Sequence, residues 1–246
     1  MIKQLKTIAK KLRATLKLAP ANFVLRRLRQ RGFDPTAWSA LETFGSTGSQ
    51  HTPIFAAAVR HIDIWEIKPE AERPLRQRFP GAGIKIIDSY AEIARTPEKY
   101  DLVIVDNVPG MCLGHCEHMD MFPAIFRVLK DPGVLALYVT PNVHREKEHP
   151  WAQERAIKRK AFYQAQDPDH LTMAEMERAY VRIAAENGKQ VTDCFFTRRW
   201  TFPSDQDPCY YCTLVLRDAR RTADVPKNAQ LQTAHRSAGG EVDFKS

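Results

Sequence analysis

Four carboxylates punctuate the first half of the chain. Glu42, Glu66, Asp88 and Asp106 each close a short apolar run, and they recur at intervals of roughly twenty residues. An ionised carboxylate only accepts hydrogen bonds, so such a set suits a ligand rich in hydroxyl, amino or ammonium groups. Glu42 leads into Gly45-Ser46-Thr47-Gly48, small residues that let backbone come close to a ligand, with free N–H groups at the helix start beyond. Ser89 follows Asp88, and Asn107 follows Asp106. A second group, Cys112, His115, Cys116, Glu117 and His118, crowds one short stretch. Imidazole titrates near neutrality and can deprotonate a hydroxyl, so His115 or His118, with Glu117, reads as a general base or substrate anchor. The plainer alternative is that these residues only pack their loop. Thiolates and imidazoles also bind zinc, but a closed site draws ligand pairs from two separate elements. All four here come from one loop, so no metal is assigned.

Those residues need a scaffold that brings strand ends together. Apolar strands are expected at Ala40 to Phe44, Ile62 to Glu66, Ile84 to Ile87, Leu102 to Asp106 and Val134 to Thr140, with helical or loop material between each pair. Short, nearly continuous apolar strands alternating with helices indicate a parallel sheet covered on both faces. A polar helical region from Trp151 to about Asn187, interrupted near Asp167-Pro168, comes next. Gln190 to Phe202 and Tyr210 to Arg217 then read as a β-hairpin around a turn at Pro203 to Pro208. The fold class is therefore α/β, a doubly wound, mostly parallel sheet ending in an antiparallel hairpin. In such sheets ligands bind beyond the carboxyl ends of the strands, where all four carboxylates fall. Cys209 and Cys212 lie three apart on a strand, point to opposite faces and read as structural. Asn142 and His144, just past the fifth strand, are secondary pocket candidates by position.

Of 246 residues, 43% are apolar and 27% charged, as in an ordinary globular protein. No apolar run approaches the roughly 20 residues that span a bilayer, the N-terminus lacks the apolar centre of a secretory signal, and five cysteines suggest free thiols. A cytoplasmic location is expected. Ten bases precede the first acid, Asp34; without them 27 Lys and Arg face 29 Asp and Glu, although the whole chain is +8. The basic character belongs to a helical extension, residues 1–35, and a basic nucleic-acid-binding body is not implied. Ile2, Leu5, Ile8, Leu12 and Leu16 form a helical stripe ended by Pro20, and a second helix from about Asn22 to Arg31 is closed by Gly32. These helices either pack on the body with their cations in water or, through residues 1–31, lie on an anionic membrane or partner. Residues 36–218 form the main domain, and 219–246 has the composition of a disordered tail.

The ordered series Glu42-Thr43-Phe44-Gly45-Ser46-Thr47-Gly48, Trp65-Glu66-Ile67-Lys68-Pro69, Ile87-Asp88-Ser89-Tyr90 and Tyr100 through Asn107 resembles the motifs of the class I S-adenosylmethionine-dependent methyltransferases, which have a Rossmann-like fold. The likeness spans about Ser39 to Arg217, and the terminal hairpin is similar to that family's ending. It implies S-adenosyl-L-methionine as cofactor. Glu66 would accept from the ribose hydroxyls, Asp88 would face the adenine amino group, Gly45, Ser46 and Gly48 would pass along the methionine part, and Glu42 would help hold its ammonium. Ser89 and Asp106 complete the cofactor set, and Asp106 joins His115, Glu117 and His118 on the catalytic side. Phe44 and Ser46 depart from the family pattern by standing where glycine is common.

The loop after the fourth strand, Asp106 to His118, is the acceptor side in this fold. Enzymes that methylate base amino groups follow an Asn or Asp with Pro-Pro and an aromatic that grips a flipped base; here Asn107 is followed by Val108, Pro109 and Gly110. A small-molecule or glycan-like acceptor, methylated on oxygen or nitrogen, fits better than nucleic acid. The competing readings are an aminopropyltransferase of related fold and a non-catalytic module docking through its N-terminal helices. A nicotinamide dehydrogenase fits less well, because Gly45-x-x-Gly48 lacks the Gly-x-Gly-x-x-Gly fingerprint.

Overall fold

A computed structural model describes residues 19–107, 110–112, 114–143, 151–199 and 208–219. The N-terminal stripe from Ile2 to Leu16, His144, most of the hairpin turn and nearly all of the tail lie outside these residues. The first described helix, α1 (Pro20–Gln30), begins with proline at its first turn and is closed by Gly32 at φ +84°. That left-handed position follows the helix end and costs glycine nothing, as the sequence suggests.

From there strands and helices alternate: β1 (Ser39–Glu42), α2 (Thr52–Ala56), β2 (His61–Glu66), α3 (Glu72–Arg78), β3 (Gly83–Ile86), α4 (Ser89–Glu92) and β4 (Tyr100–Val105). A two-residue ladder, β5 (Met111–Cys112) with β6 (His115–Cys116), stands in the loop after β4. Then come β7 (Leu129–Val139), α5 (Ala152–Tyr163), α6 (Met173–Glu186), β8 (Lys189–Arg199) and β9 (Cys209–Asp218). Seven strands form one sheet in the order β3-β2-β1-β4-β7-β9-β8. The first five are parallel. The final hairpin is not simply appended at the edge. β9 inserts between β7 and β8 and is antiparallel to both, so β8 at the edge again runs with the parallel strands.

Period-two alternation sends successive strand residues to opposite faces, and each face buries its own core. Leu41, Val103, Val105, Leu135, Leu137, Cys212 and Leu214 meet Tyr163 and the α6 residues Met176, Ala179 and Tyr180 on one side. Ala40, Ile62, Ile64, Leu102, Ile104, Val134 and Ala136 meet Ala21, Val24, Leu25 and Leu28 of α1 on the other. Helix α1 is thus part of the body. Its Arg27 donates to the Phe196 carbonyl at 2.7 Å, Arg31 pairs with Asp193, and both guanidinium groups lie over the Phe195 ring. Two of the N-terminal bases are therefore spent within the fold. Among the described residues no helix is long and apolar enough to cross a membrane.

Candidate functional site

Strand order reverses between β1 and β4, which are adjacent and whose next strands lie on opposite sides. At such a switch point the loops leaving the two strands diverge and open a crevice. Glu42 ends β1, and Asp106 follows β4 directly. The register places Glu42 beside Ile64 and Ile104, and Glu66 beside Ile86. Glu42, Glu66, Asp88 and Asp106 are thereby brought to one edge of the sheet.

The loop between β1 and α2 turns through two left-handed residues, Ser46 at φ +48° and Gly48 at φ +61°. Gly45 is required for another reason: a Cβ there would stand 2.2 Å from Ile64 Cγ2. The backbone can therefore lie against β2, where Gly45 N–H donates to the Trp65 carbonyl at 3.0 Å. Glu66 then takes the Ser46 N–H at 2.6 Å on Oε2, and the Ile67 and Lys68 N–H groups at 3.0 and 3.1 Å on Oε1. Three of about four acceptor positions on this carboxylate are thus used by backbone. Asp88 accepts the Tyr90 N–H at 2.9 Å and opens α4, and Ser89 donates its hydroxyl to the Thr43 carbonyl, tying the ends of β1 and β3.

Glu42 is 2% exposed; its Oε1 accepts from the Thr52 hydroxyl at 2.9 Å, while Oε2 has no hydrogen-bond partner among the described residues. Burial, reinforced by the nearby negative charge of Asp106, pushes the Glu42 carboxyl up to about 8. Asp106 itself is held by an ion pair from Arg199 and a 2.8 Å hydrogen bond from the Tyr211 hydroxyl. Arg199 lies over the rings of Tyr138 and Tyr211 at 3.9 and 4.9 Å. Neither Arg199 nor Tyr211 was legible as a site residue, because β8 and β9 carry other charged and aromatic residues, Asp193, Arg198 and Tyr210 among them, and nothing in the pattern sets these two apart.

In the loop after β4 the expected residues part company. Tyr90 stacks on His115 with ring centroids 3.9 Å apart, donates to the Glu117 carbonyl and accepts from Asn107 Nδ2 at 3.2 Å. His115 keeps 35% of its side chain exposed, and its Nδ1 lies 3.4 Å from Asp120. His118 is instead fully buried, bonded through Nε2 to the Tyr180 hydroxyl at 2.7 Å and ringed by Phe122 and Phe162. Burial first, then the charge of Arg159, pushes its imidazole down to about 3. It is a neutral core histidine, so the expectation of a base there is corrected. Glu117 is corrected likewise. It is 2% exposed, and its Oε1 takes a 2.8 Å hydrogen bond from Arg159, which is fully buried. Arg159 also donates to the carbonyls of Pro168, Thr140 and Pro141. This pair clamps the loop after β4 to the end of β7. Among the described residues no three His, Cys, Asp or Glu side chains gather as metal ligands.

Asn142 makes a bridge to His170. Cys209 lies beside the Tyr138 hydroxyl at 3.1 Å, while Cys212 is on the other face, 3.9 Å from Cys194.

No protein-family profile and no curated sequence matches the chain. Among solved structures it is similar to TYW2 of M. jannaschii in complex with AdoMet, with a TM-score of 0.50, 14% identity, and coverage of 79% of this chain and 75% of that one. It is also similar to a proposed RNA methyltransferase from Pyrococcus horikoshii, with a TM-score of 0.51, 14% identity, and coverage of 80% and 82%. Taken with the strand order, these likenesses show that the chain has a Rossmann-like fold, the one these two proteins share.

Proposed function

We propose that this chain is an S-adenosylmethionine-dependent methyltransferase acting on a small-molecule or glycan-like acceptor. The observation that carries the reading is Glu42, a buried carboxyl at the switch point with one oxygen unpartnered among the described residues. A buried polar atom without a partner is costly, and a cationic amine placed there would relieve the cost. Glu42 would hold the ammonium of the cofactor, Gly45, Ser46 and Gly48 would follow its methionine part, and Glu66, Asp88 and Ser89 would face the nucleoside. Asp106, just past β4 and held by Arg199 and Tyr211, would complete the cofactor side. The cofactor supplies a methyl group on a positively charged sulfur.

His115 is the member of the expected catalytic group with an accessible ring, steadied by Tyr90 and Asp120. It would take the proton from an acceptor hydroxyl, a contribution of about 10²- to 10⁴-fold. Asn107 is buried with its amide on Tyr90, an arrangement suited to shaping a pocket rather than gripping a flipped base. Contact with an anionic surface would fall chiefly to the bases before Pro20, because Arg27 and Arg31 are engaged by Phe196 and Asp193 of β8.

Thermal unfolding with millimolar S-adenosylmethionine tests the reading: binding only the native state raises the melting temperature by mass action. An unchanged melting curve would refute it. His115→Gln should lower turnover about 10²-fold or more with cofactor binding intact, and equal loss of both would remove His115 from catalysis. Methylation of an RNA in preference to small hydroxylated acceptors would overturn the acceptor class, and a product heavier by an aminopropyl group would replace the reaction.

A further inference from the structure

Arginine 155 stands out among the groups that the proposed reaction leaves unused. It lies in the first turn of α5, where the positive end of the helix dipole disfavours another cation. It is nevertheless only 4% exposed. Its guanidinium carbon sits 4.8 Å from the centre of the Trp151 ring, and its Nε has no hydrogen-bond partner among the described residues. A stacked aromatic face fixes the plane of the guanidinium but satisfies none of its N–H groups.

Among the described residues the neighbouring cations have partners of their own. Arg159, one turn later on the same helix face, takes Glu117, and Lys158 takes Asp120 and the Gly114 carbonyl. Glu117 and Asp169 attract Arg155 at longer range, yet no carboxylate of the described residues comes within ion-pair distance of it. The location is also informative. Trp151 abuts Gly110, where a Cβ would come 3.7 Å from its ring, and Gly110 belongs to the loop that carries His115. A buried cation with no anion at pairing distance among the described residues therefore borders the loop that carries His115 and not the Gly45 to Gly48 bend.

We propose that Arg155, backed by Trp151, anchors a carboxylate group of the methyl acceptor; this rests on the methyltransferase reading above. A planar carboxylate matches the side-on edge of a guanidinium through two parallel hydrogen bonds. A phosphate dianion fits less well, because the one uncommitted cation among the described residues here would leave one of its charges buried and unpaired. The acceptor is thus a hydroxy or amino acid in the broad sense, a uronic acid or aromatic acid included.

The test is calorimetric titration of the full chain with S-adenosylhomocysteine, then with benzoate, benzamide and inorganic phosphate on the saturated protein. Benzoate should bind, benzamide should not, and Arg155→Gln should weaken benzoate at least tenfold while S-adenosylhomocysteine affinity stays within twofold. Arg155→Lys keeps the charge without the planar fork and should give an intermediate loss, which covers the case of a Gln variant that does not fold. Benzoate affinity untouched by either substitution would overturn the anchor alone, as would benzamide binding equally, phosphate binding more tightly, or benzoate displacing S-adenosylhomocysteine. Arg155-dependent benzoate binding by a chain that never binds S-adenosylhomocysteine would instead overturn the methyltransferase reading, and the acceptor role with it.

Discussion

The ends of β1 to β3 and the loop over α5 form the two sides of the candidate site, and they are held by different physics. On the first side two of the three carboxylates are satisfied by nearby backbone, Glu66 by Ser46, Ile67 and Lys68, and Asp88 by Tyr90, while Glu42 keeps one oxygen without a partner among the described residues. These are charge-assisted hydrogen bonds to loop backbone beside each strand end. On the second side side chains close over long sequence separations: Arg159 with Glu117, His118 with Tyr180 and Tyr90 with His115. The comparison teaches that a site edge built on backbone is robust and readable, whereas one built on buried charge depends on each partner being present.

Substitutions can break that contrast or sharpen it. The largest effect is expected at Arg159→Met, which leaves Glu117 buried without its cation and should cost about 3–5 kcal/mol. Adding Glu117→Gln should recover part of the loss, and chemical denaturation of the two variants measures both; a single variant as stable as the parent would dissolve the distinction between the two sides. Next comes Glu42, whose folded-state carboxyl keeps its proton up to about 8 against an ordinary 4.5. Between those values the native state binds the extra proton, so stability without cofactor should fall as pH rises, by at most about 1.4 kcal/mol per pH unit. Glu42→Gln should flatten that fall in denaturant midpoints taken from pH 5 to 8; identical slopes would mean that Glu42 ionises normally.

Gly45→Ala follows, since its new methyl group meets Ile64; overpacking of this kind costs about 1–3 kcal/mol, seen as a lowered melting temperature. Thr172→Ala is the smallest and serves as a control away from both sides. It removes the capping box that Thr172 forms with Glu175 at the start of α6, worth about 1 kcal/mol. A loss there equal to that of Arg159→Met would show that the long-range clamp has no special weight.

How much was legible follows the same division. The five parallel strands appear within a few residues of their expected positions, because continuous apolar runs bounded by polar residues leave little choice of element. The strand-end carboxylates share one edge because parallel strands must all point the same way. His118 and Glu117 misled because a histidine and a glutamate in a loop look alike whether they face solvent or core. Only Tyr180, Phe162 and Arg159, more than forty residues downstream in the chain, decided that they are buried.

The sequence by itself determined the alternation of strands and helices, the bend at Gly45 and Gly48 and the polar strand ends, since each depends on local periodicity and backbone freedom. Only the tertiary structure decided that β9 enters between β7 and β8, that Arg199 and Tyr211 thereby reach Asp106, and that Arg155 is left buried beside Trp151. The reason is that burial and charge pairing belong to the space between elements, and residues distant along the chain carry no mark of meeting until the sheet has closed.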